Sequence, residues 1–427
     1  MEFSVTTEGF MSGISAAVNA SSKDVVKDFE GVDKINLQVD QNGIVVSSFG
    51  GRVAVKTLLS DTEIDNLGFV FKSSGQVCSS AVDLFNVLDS FAPTDNLIIT
   101  LSDNDGTKEL LVKLESDEEQ YQTLPCFSKL VDLPKKADNF AKVIKIRKSV
   151  LMYGLDKVGF AAGIEKEKPQ YYMNLVMNTS SDSIRFSAGS GARHAILDIE
   201  GDKIFTAKPV KSSVILSKNY MPVVTKALQT VGDGDITISE SKKKQQDAPF
   251  QILIEADPYE IIIVGVDPSL QWVDESAVLD KDYSIKLITK ADDWKYVVKG
   301  IAATYNDQVK QERRAHKAEM EVDFANDNIV VKTKEKMRSH RKLPIVDVEN
   351  VNNESSCDLV CVSAYLSEIA LAAKKEDYVQ LEMMGKSMPV VVCYHAGEKI
   401  SERKDMIQES AEGYKERFLV FFGTHAK

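Results

Sequence analysis

No apolar run in the sequence approaches the ~20 residues that a membrane helix needs, so no stretch reads as membrane-spanning. The opening MEFSVTTEGF has neither the basic segment nor the apolar core of a signal peptide. Cysteine is scarce: Cys78, Cys126, Cys357, Cys361 and Cys393 form an odd set without a C-x-x-C pair. That pattern argues for reduced thiols in a cytosolic setting rather than a disulfide frame. Cys357 and Cys361 have no histidine nearby, so they read as small residues of a strand rather than zinc ligands. The histidines (His194, His316, His340, His395 and His425) are scattered, and there is no G-x-S-x-G, phosphate loop or H-E-x-x-H. Asp103-Asn104-Asp105-Gly106 starts like a calcium loop but lacks the downstream glutamate in register, and it sits where a hairpin turn is needed. These absences argue against an enzyme and leave no cofactor or metal to assign.

What is present is a repeat. The stretch Tyr171–His194 reads as strand, turn, strand and a glycine-broken corner ending in Arg193. Met173, Leu175 and Met177 alternate with their neighbours, and Ile184, Phe186 and Ala188 resume the alternation. Similar hairpins run from Ile35 through Gln41-Asn42-Gly43 to Val46, and from Ala318 through Asn326-Asp327-Asn328 to Lys332. Leu37, Leu175 and Met320 hold corresponding places in the three hairpins. Ser79, Ser217 and Ser363, each at the start of a helical pattern, recur at about the same interval of 140 residues. Each repeat opens with an amphipathic helix, at about 8–19, Arg147–Gly163 and Lys290–Asn306. The hairpin and a second helix follow; that of the middle repeat begins at Asn219 or Tyr220, because Pro222 is tolerated only in a first turn. Each repeat closes with strands: Asn96–Leu101 with Glu109–Leu114, Asp235–Ser239 with Phe250–Ile254, and Tyr378–Met383 with Pro389–Tyr394.

The expected fold class is α+β: three repeated domains, each of two helices packed on a mostly antiparallel sheet. The boundaries are 1–137, 138–282 and 283–427, placed by the polar linker Lys129–Phe140 and by Asp274–Tyr283, which is charged and patternless. Residues 241–246, 310–317 and 397–417 read as charged excursions with solvated faces, the last with some helical character. The chain carries a net −12, yet its six helix windows together are slightly positive. Helices facing a common axis would thus make a mildly basic lining inside an acidic exterior. That arrangement suits surrounding DNA without gripping it, because a close binder of many phosphates becomes salt-sensitive and is held in place.

With the three repeats and the middle corner in hand, the chain resembles the bacterial-type sliding clamps, the β subunit family of DNA polymerase III, over essentially its full length. The residues that carry the resemblance are Asp89–Pro93 and Tyr121-Gln122-Thr123-Leu124-Pro125 in the first repeat. In the second they are Tyr171-Tyr172-Met173-Asn174 and the corner Ala188–His194. Ser190, Ala192 and His194 replace the Asp, His and Leu of the family's corner. The usual Pro and Arg have no counterpart around Pro268–Trp272, an expected Asn is lost near Val362, and Thr424–Lys427 extend past the usual end. Three repeats rather than two exclude the trimeric type of clamp.

The resemblance implies a head-to-tail homodimer, a six-domain ring around duplex DNA. It would tether a replicative polymerase and other clamp-motif proteins in the cytoplasm, at the replication fork, and be opened by a clamp-loader ATPase. It implies a partner-peptide pocket from Met173, Gly191, Arg193 and His194 with Tyr365, Met388, Pro389, Leu419, Val420, Phe421 and Phe422. The DNA-facing set would be Lys23, Lys27, Arg147, Lys148, Lys157, Tyr171, Tyr172, Lys218, Lys226, Lys295 and Lys299. The dimer interface would join Glu119, Tyr121 and Thr123 to Ala303, Thr304 and Tyr305. The alternative is a protein-interaction module on the same scaffold that does not encircle DNA.

Overall fold

A computed structural model of the chain describes residues 1–21, 32–104, 107–163, 174–180, 182–190, 193–201, 204–205, 212–232, 234–241, 250–264, 275–302, 317–333, 339–373, 377–384, 389–395, 397–409 and 414–422. Strand β1 (Glu2–Thr6) feeds helix α1 (Thr7–Ser21). Then come β2 (Lys34–Asp40), β3 (Gly43–Phe49), β4 (Val53–Leu59), β5 (Val70–Ser73), β6 (Gly75–Ser80), α2 (Ala81–Asp89), β7 (Asn96–Asn104), β8 (Thr107–Leu114) and β9 (Asp117–Phe127). The same order returns as β10 (Phe140–Arg147), α3 (Lys148–Gly159), β11 (Asn174–Thr179), β12 (Ser183–Ser190), β13 (Arg193–Glu200), β14 (Ser212–Ser217), α4 (Met221–Thr230), β15 (Asp235–Ser241), β16 (Gln251–Ala256) and β17 (Tyr259–Val264). After the short α5 (Ser276–Leu279) it returns again: β18 (Ile285–Lys290), α6 (Ala291–Ala302), β19 (Lys317–Asp323), β20 (Asn328–Thr333), β21 (Ser339–Pro344), β22 (Asp347–Asn350), β23 (Ser356–Val362) and α7 (Ser363–Ala372). The chain ends in β24 (Tyr378–Met383), β25 (Val390–His395), the two-residue β26 (Gln408–Glu409) and β27 (Lys415–Phe422).

The expected hairpins, helix pairs and closing strands are thus in place. Small shifts have local causes. Ser80, not Ser79, caps α2: its side chain accepts from Asp83 N at 3.1 Å, while Ser79 is drawn into the β6 ladder opposite Cys126. Asp33 reinforces the cap, accepting from Ser80 Oγ and Val82 N at 3.0 and 2.9 Å. Gly43 closes the first hairpin at φ +145°, where any Cβ would lie 2.3 Å from Leu59 O. The charged segment expected to lack structure holds α5, and 397–417 contains a 3₁₀ turn at Arg403–Asp405 and β26 rather than an open loop. Asn104 pairs with Thr107, which makes the acidic stretch there a hairpin turn, as read from sequence.

Two compact bodies emerge from the packing: residues 1–153 with 205–269, and 154–204 with 270–427. In the first, one antiparallel sheet runs β10-β15-β16-β17-β4-β3-β2-β6-β9-β8-β7-β1-β5. Its joint between repeats is β4 with β17, where Lys56 faces Glu260 and Val55 faces Ile261. Helix α1 lies against this sheet on an alanine face (Ala16, Ala17, Ala20), which lets it approach both strands and α4 closely. Tyr259 reaches from β17 to donate to Gly13 O at 3.1 Å.

In the second body a run β11-β12-β13-β27-β25-β24-β18-β22 contains the other joint, β13 with β27, and a separate sheet runs β21-β20-β19-β23. Trp294 of α6 is fully buried, its indole N–H donating to Thr289 Oγ1 at 2.8 Å. Cys357 and Cys361 are buried along β23, consistent with their reading as strand residues. No described helix is long and apolar enough to cross a membrane.

Gly154 of α3 faces the Phe186 ring so closely that a Cβ would sit 2.4 Å from it. Gly154→Ala is expected to lose about 1–3 kcal/mol of stability through overpacking; a melting temperature equal to wild type would contradict that packing.

Candidate partner groove and charged surfaces

The second joint sets Arg193 and His194 beside Leu419–Phe422, among the residues that the sequence places in a partner pocket. Strands β13 and β27 pair with Arg193 opposite Phe422, His194 opposite Phe421 and Ile196 opposite Leu419. Strand alternation then sorts them by face. His194 is 2% exposed and stacks on Phe421, with ring centroids 4.9 Å apart and planes 9° apart. Leu419 and Phe421 continue that face into a buried cluster with Ile196, Tyr283, Val391, Cys393 and Met406. Arg193 turns the other way and donates from Nε to Ala161 O at 3.4 Å. Val420 and Phe422 are buried as well, and Pro389 is half-buried just before β25. Tyr365 belongs to α7. Met173, Gly191 and Met388 lie outside the described residues. Gly189 has a local reason to be glycine: a Cβ there would stand 2.2 Å from His194 Nδ1.

Beneath His194 lies a charge network that sequence reading missed. Glu275, just before α5, accepts a hydrogen bond from His194 Nε2 at 2.9 Å and pairs with Arg185 Nη1 at 3.2 Å. Arg185 also grips Asp198 with two nitrogens, at 2.6 and 3.0 Å, and Arg417 of β27 binds the same carboxylate at 2.5 Å. One aspartate therefore ties β12, β13 and β27 together. Burial alone would push the Glu275 carboxyl up; the hydrogen bond and charge of His194, with the charge of Arg185, outweigh it and hold it below its ordinary value. On the far side Arg403 binds the buried Glu382 at 2.5 Å, donates to Leu279 O and Lys281 O, and lies 5.0 Å over the Tyr283 ring. These groups wall a cavity of about 380 Å³. Period-2 reading could have placed Asp198 on the face of His194; nothing local marks Glu275, which works through residues far away in sequence.

The basic set divides. Arg147, Lys226 and Lys299 are exposed. Lys148 donates to Val231 O; Lys157 donates to Ala372 O at 3.4 Å and lies 5.4 Å from the Phe418 ring centroid; Lys295 pairs with Asp292 at 2.6 Å. Lys218 is half-buried in the turn before α4. Lys23, Lys27, Tyr171 and Tyr172 lie outside the described residues.

Glu119, Tyr121 and Thr123 lie on an exposed stretch of β9 that pairs with β8 on one side, while β6 reaches it only at Cys126 and Phe127. Ala303, Thr304 and Tyr305 lie outside the described residues. Among the described residues no group of three His, Cys, Asp or Glu is placed to hold a metal ion. Burial pushes the Cys126 thiol to about 11 and that of Cys361 to about 12, so neither is a ready thiolate.

No protein-family model and no curated protein matches the sequence. Solved structures do match it. The β chain of DNA polymerase III from Streptococcus pneumoniae TIGR4 is 10% identical, with a TM-score of 0.74 and both chains covered over 100%. The DNA polymerase sliding clamp from Bacillus subtilis is 11% identical, with a TM-score of 0.73, covering 100% of this chain and 99% of that one. The sliding clamp from Pseudomonas aeruginosa bound to griselimycin is 12% identical, with a TM-score of 0.71 and 100% of both chains covered. The chain therefore has the sliding-clamp fold from end to end.

Because the Glu275 pKa is held down in the fold, its contribution to stability is present above the ordinary glutamate value of about 4.3 and is lost as pH falls through the folded value. Glu275→Gln is expected to cost about 2 kcal/mol near neutral pH, with Arg185 keeping Asp198 as a partner. The gap between variant and wild type should narrow as denaturation is repeated at falling pH, below the ordinary glutamate range; a pH-independent gap would mean that the carboxylate charge does not matter there.

Proposed function

We propose that the chain is a DNA sliding clamp: a non-catalytic ring that encircles duplex DNA as a head-to-tail homodimer of three-domain chains, with domains at 1–137, 138–282 and 283–427. The ring tethers a replicative polymerase and other clamp-motif proteins, and a clamp-loader ATPase opens it. The observation that carries this reading is the full-length match to clamp structures by a chain that repeats one α+β plan three times. The charge distribution supports it. An acidic chain with slightly basic helices is poorly suited to gripping DNA, so retention would come from topology and movement from few, exchangeable phosphate contacts.

The partner groove is assigned to the β13–β27 joint, where Arg193 and the adjoining corner would hold the polar end of a peptide and the aromatic and aliphatic walls its apolar anchors. Burial of His194 and Phe421 makes them the floor that shapes the groove, not contact residues on an open surface.

Loaded with a clamp loader and ATP, the protein should remain on nicked circular DNA and dissociate once the circle is cut. A strict monomer that binds circular and linear DNA alike would instead be an interaction module on the same scaffold.

Reversing Arg147, Lys226 and Lys299 together to glutamate should shorten residence on circular DNA severalfold at low salt without lowering thermal stability. Reversing Lys148 and Lys157, whose amines are tied to backbone carbonyls, should lower the melting temperature instead. Equal effects of both sets on residence, with no loss of stability, would refute this division.

A further inference from the structure

The three repeats close with similar strands but not with similar turns. The closing hairpins β8–β9 and β16–β17 turn within two residues, 115–116 and 257–258. The third, β25–β27, is interrupted by 396–414, and the described part of that connection, 397–409, forms a strap across the sheet. Tyr394 donates to Ile369 O of α7 at 3.4 Å, and the Phe418 ring lies beside Lys157 of α3. Strand alternation therefore turns Val391, Cys393, Leu419 and Phe421 to the opposite, outer face. There the strap lays down Met406, which is 2% exposed. We propose that the strap is an internal competitor for the partner groove, with Met406 seated where the apolar anchor of an extended peptide binds. This rests on the groove assignment made above and names what fills the groove in the absence of a partner.

The seat is built from the joint itself. Ile196, Leu419 and Cys393 form one row across β13, β27 and β25, and His194, Phe421 and Val391 form the next. Met406 packs into this surface, with Tyr283 beside it. Leu419 and Phe421 belong to the partner pocket read from the sequence, so the methionine covers the floor to which the groove is assigned. A flexible thioether side chain adapts to mixed aliphatic and aromatic walls, and what accepts it accepts a leucine- or methionine-sized anchor. The first joint has a two-residue turn and no strap. Its apolar cluster of Ala54, Leu253 and Ile262 is covered instead by Leu133 of the linker and by Phe49, Phe140 and Val264. A joint can thus be covered without a strap, and the joint that carries one is the joint of the pocket.

Polar groups fasten the strap ahead of the methionine. Ile400 N donates to Asp347 at 3.0 Å, Ser401 exchanges two hydrogen bonds with Gln380 at 3.0 and 3.1 Å, and Arg403 binds Glu382 at 2.6 Å. Arg403 also donates to Leu279 O and Lys281 O, so it is a pivot that stays on the sheet while the residues beyond it lift. Ile407, next to the methionine, is 47% exposed and stays out of the cluster. Lifting Lys404–Ile407 thus exposes one buried methionine and leaves the Glu382 ion pair intact. A partner that fills the seat replaces that burial with its own anchor, and its apparent affinity is reduced by the fraction of chains with the seat filled. Such a competitor rejects poorly fitting anchors and admits good ones.

The test measures fluorescence polarisation with two labelled probes: an extended octapeptide with leucine and phenylalanine anchors, and a peptide copy of the strap, Ser401–Glu409. In full-length Met406→Ser the melting temperature should fall, yet the Leu–Phe peptide should bind about tenfold tighter than to wild type, the weight of one buried methionine. Met406→Leu should restore the weaker binding. A chain in which a short turn replaces 397–413, with Glu382→Gln because Arg403 is gone, should bind the strap peptide in trans and release it to the Leu–Phe peptide. Wild type, its seat filled, should bind the strap peptide at least about tenfold more weakly. Adding the Leu–Phe peptide to wild type should also speed hydrogen exchange at the Asp405 and Met406 amides, which are bonded to Glu402 O and Arg403 O. A Met406→Ser chain that melts lower but binds the Leu–Phe peptide no tighter would make the strap a cover only, overturning the proposal and leaving the groove. Binding of that peptide by none of the chains would overturn the groove assignment and the proposal with it.

Discussion

An antiparallel strand edge carries a row of backbone donors and acceptors that must be paired, covered or left in water. The structure answers that constraint by pairing one repeat's fourth strand with the next repeat's closing strand. The joint is therefore made of the same ladder bonds as the interior of a sheet, and the apolar faces run through it. Val55 and Ile261 meet across the first joint, Ile196 and Leu419 across the second. A repeat boundary built in this way is no hinge between finished domains. It explains why the compact bodies do not follow the repeat boundaries: each body gathers around a joint, and the middle repeat is divided between the two.

Apolar pairing sets the joint, and buried charge fixes its identity. Asp198 receives Arg185 from its own hairpin and Arg417 from the arriving strand, while Glu275 receives Arg185 and His194. Burying such groups costs desolvation that the pairing only offsets, so the network is weak as a source of stability. Its effect is on register. A two-residue slip of β27 would keep the alternation of faces but carry Arg417 away from Asp198 and Phe421 away from the His194 ring. Charge thus specifies what periodicity leaves degenerate. The network also fixes the ring of His194, which Glu275 bonds and Phe421 stacks against.

Much of this fold is legible in the sequence because its signals are local. Hairpin turns such as Gln41-Asn42-Gly43, the alternation in Met177 and Ile184–Ala188, and the helix faces of α3 and α6 depend on near neighbours. The three-fold recurrence amplifies each of them. The missed features are those in which a residue acts at a distance. Glu275 sits in a segment with no period, and only the folded chain brings His194 and Arg185 to it. Lys157 reads as a solvent-facing lysine of an amphipathic helix, yet its amine lies near Phe418 and a carbonyl of α7. Strand pairing between repeats leaves no trace in either period, so the joints had to be seen.

The same logic accounts for a fold preserved at 10–12% identity. A ladder constrains which face a side chain occupies and where the chain turns, but backbone atoms make the bonds, so side chains may be exchanged freely within the pattern. His194 packs at this corner because Phe421 supplies a parallel ring and Glu275 takes its ring nitrogen. Gly189 is then required where a side chain would strike that ring.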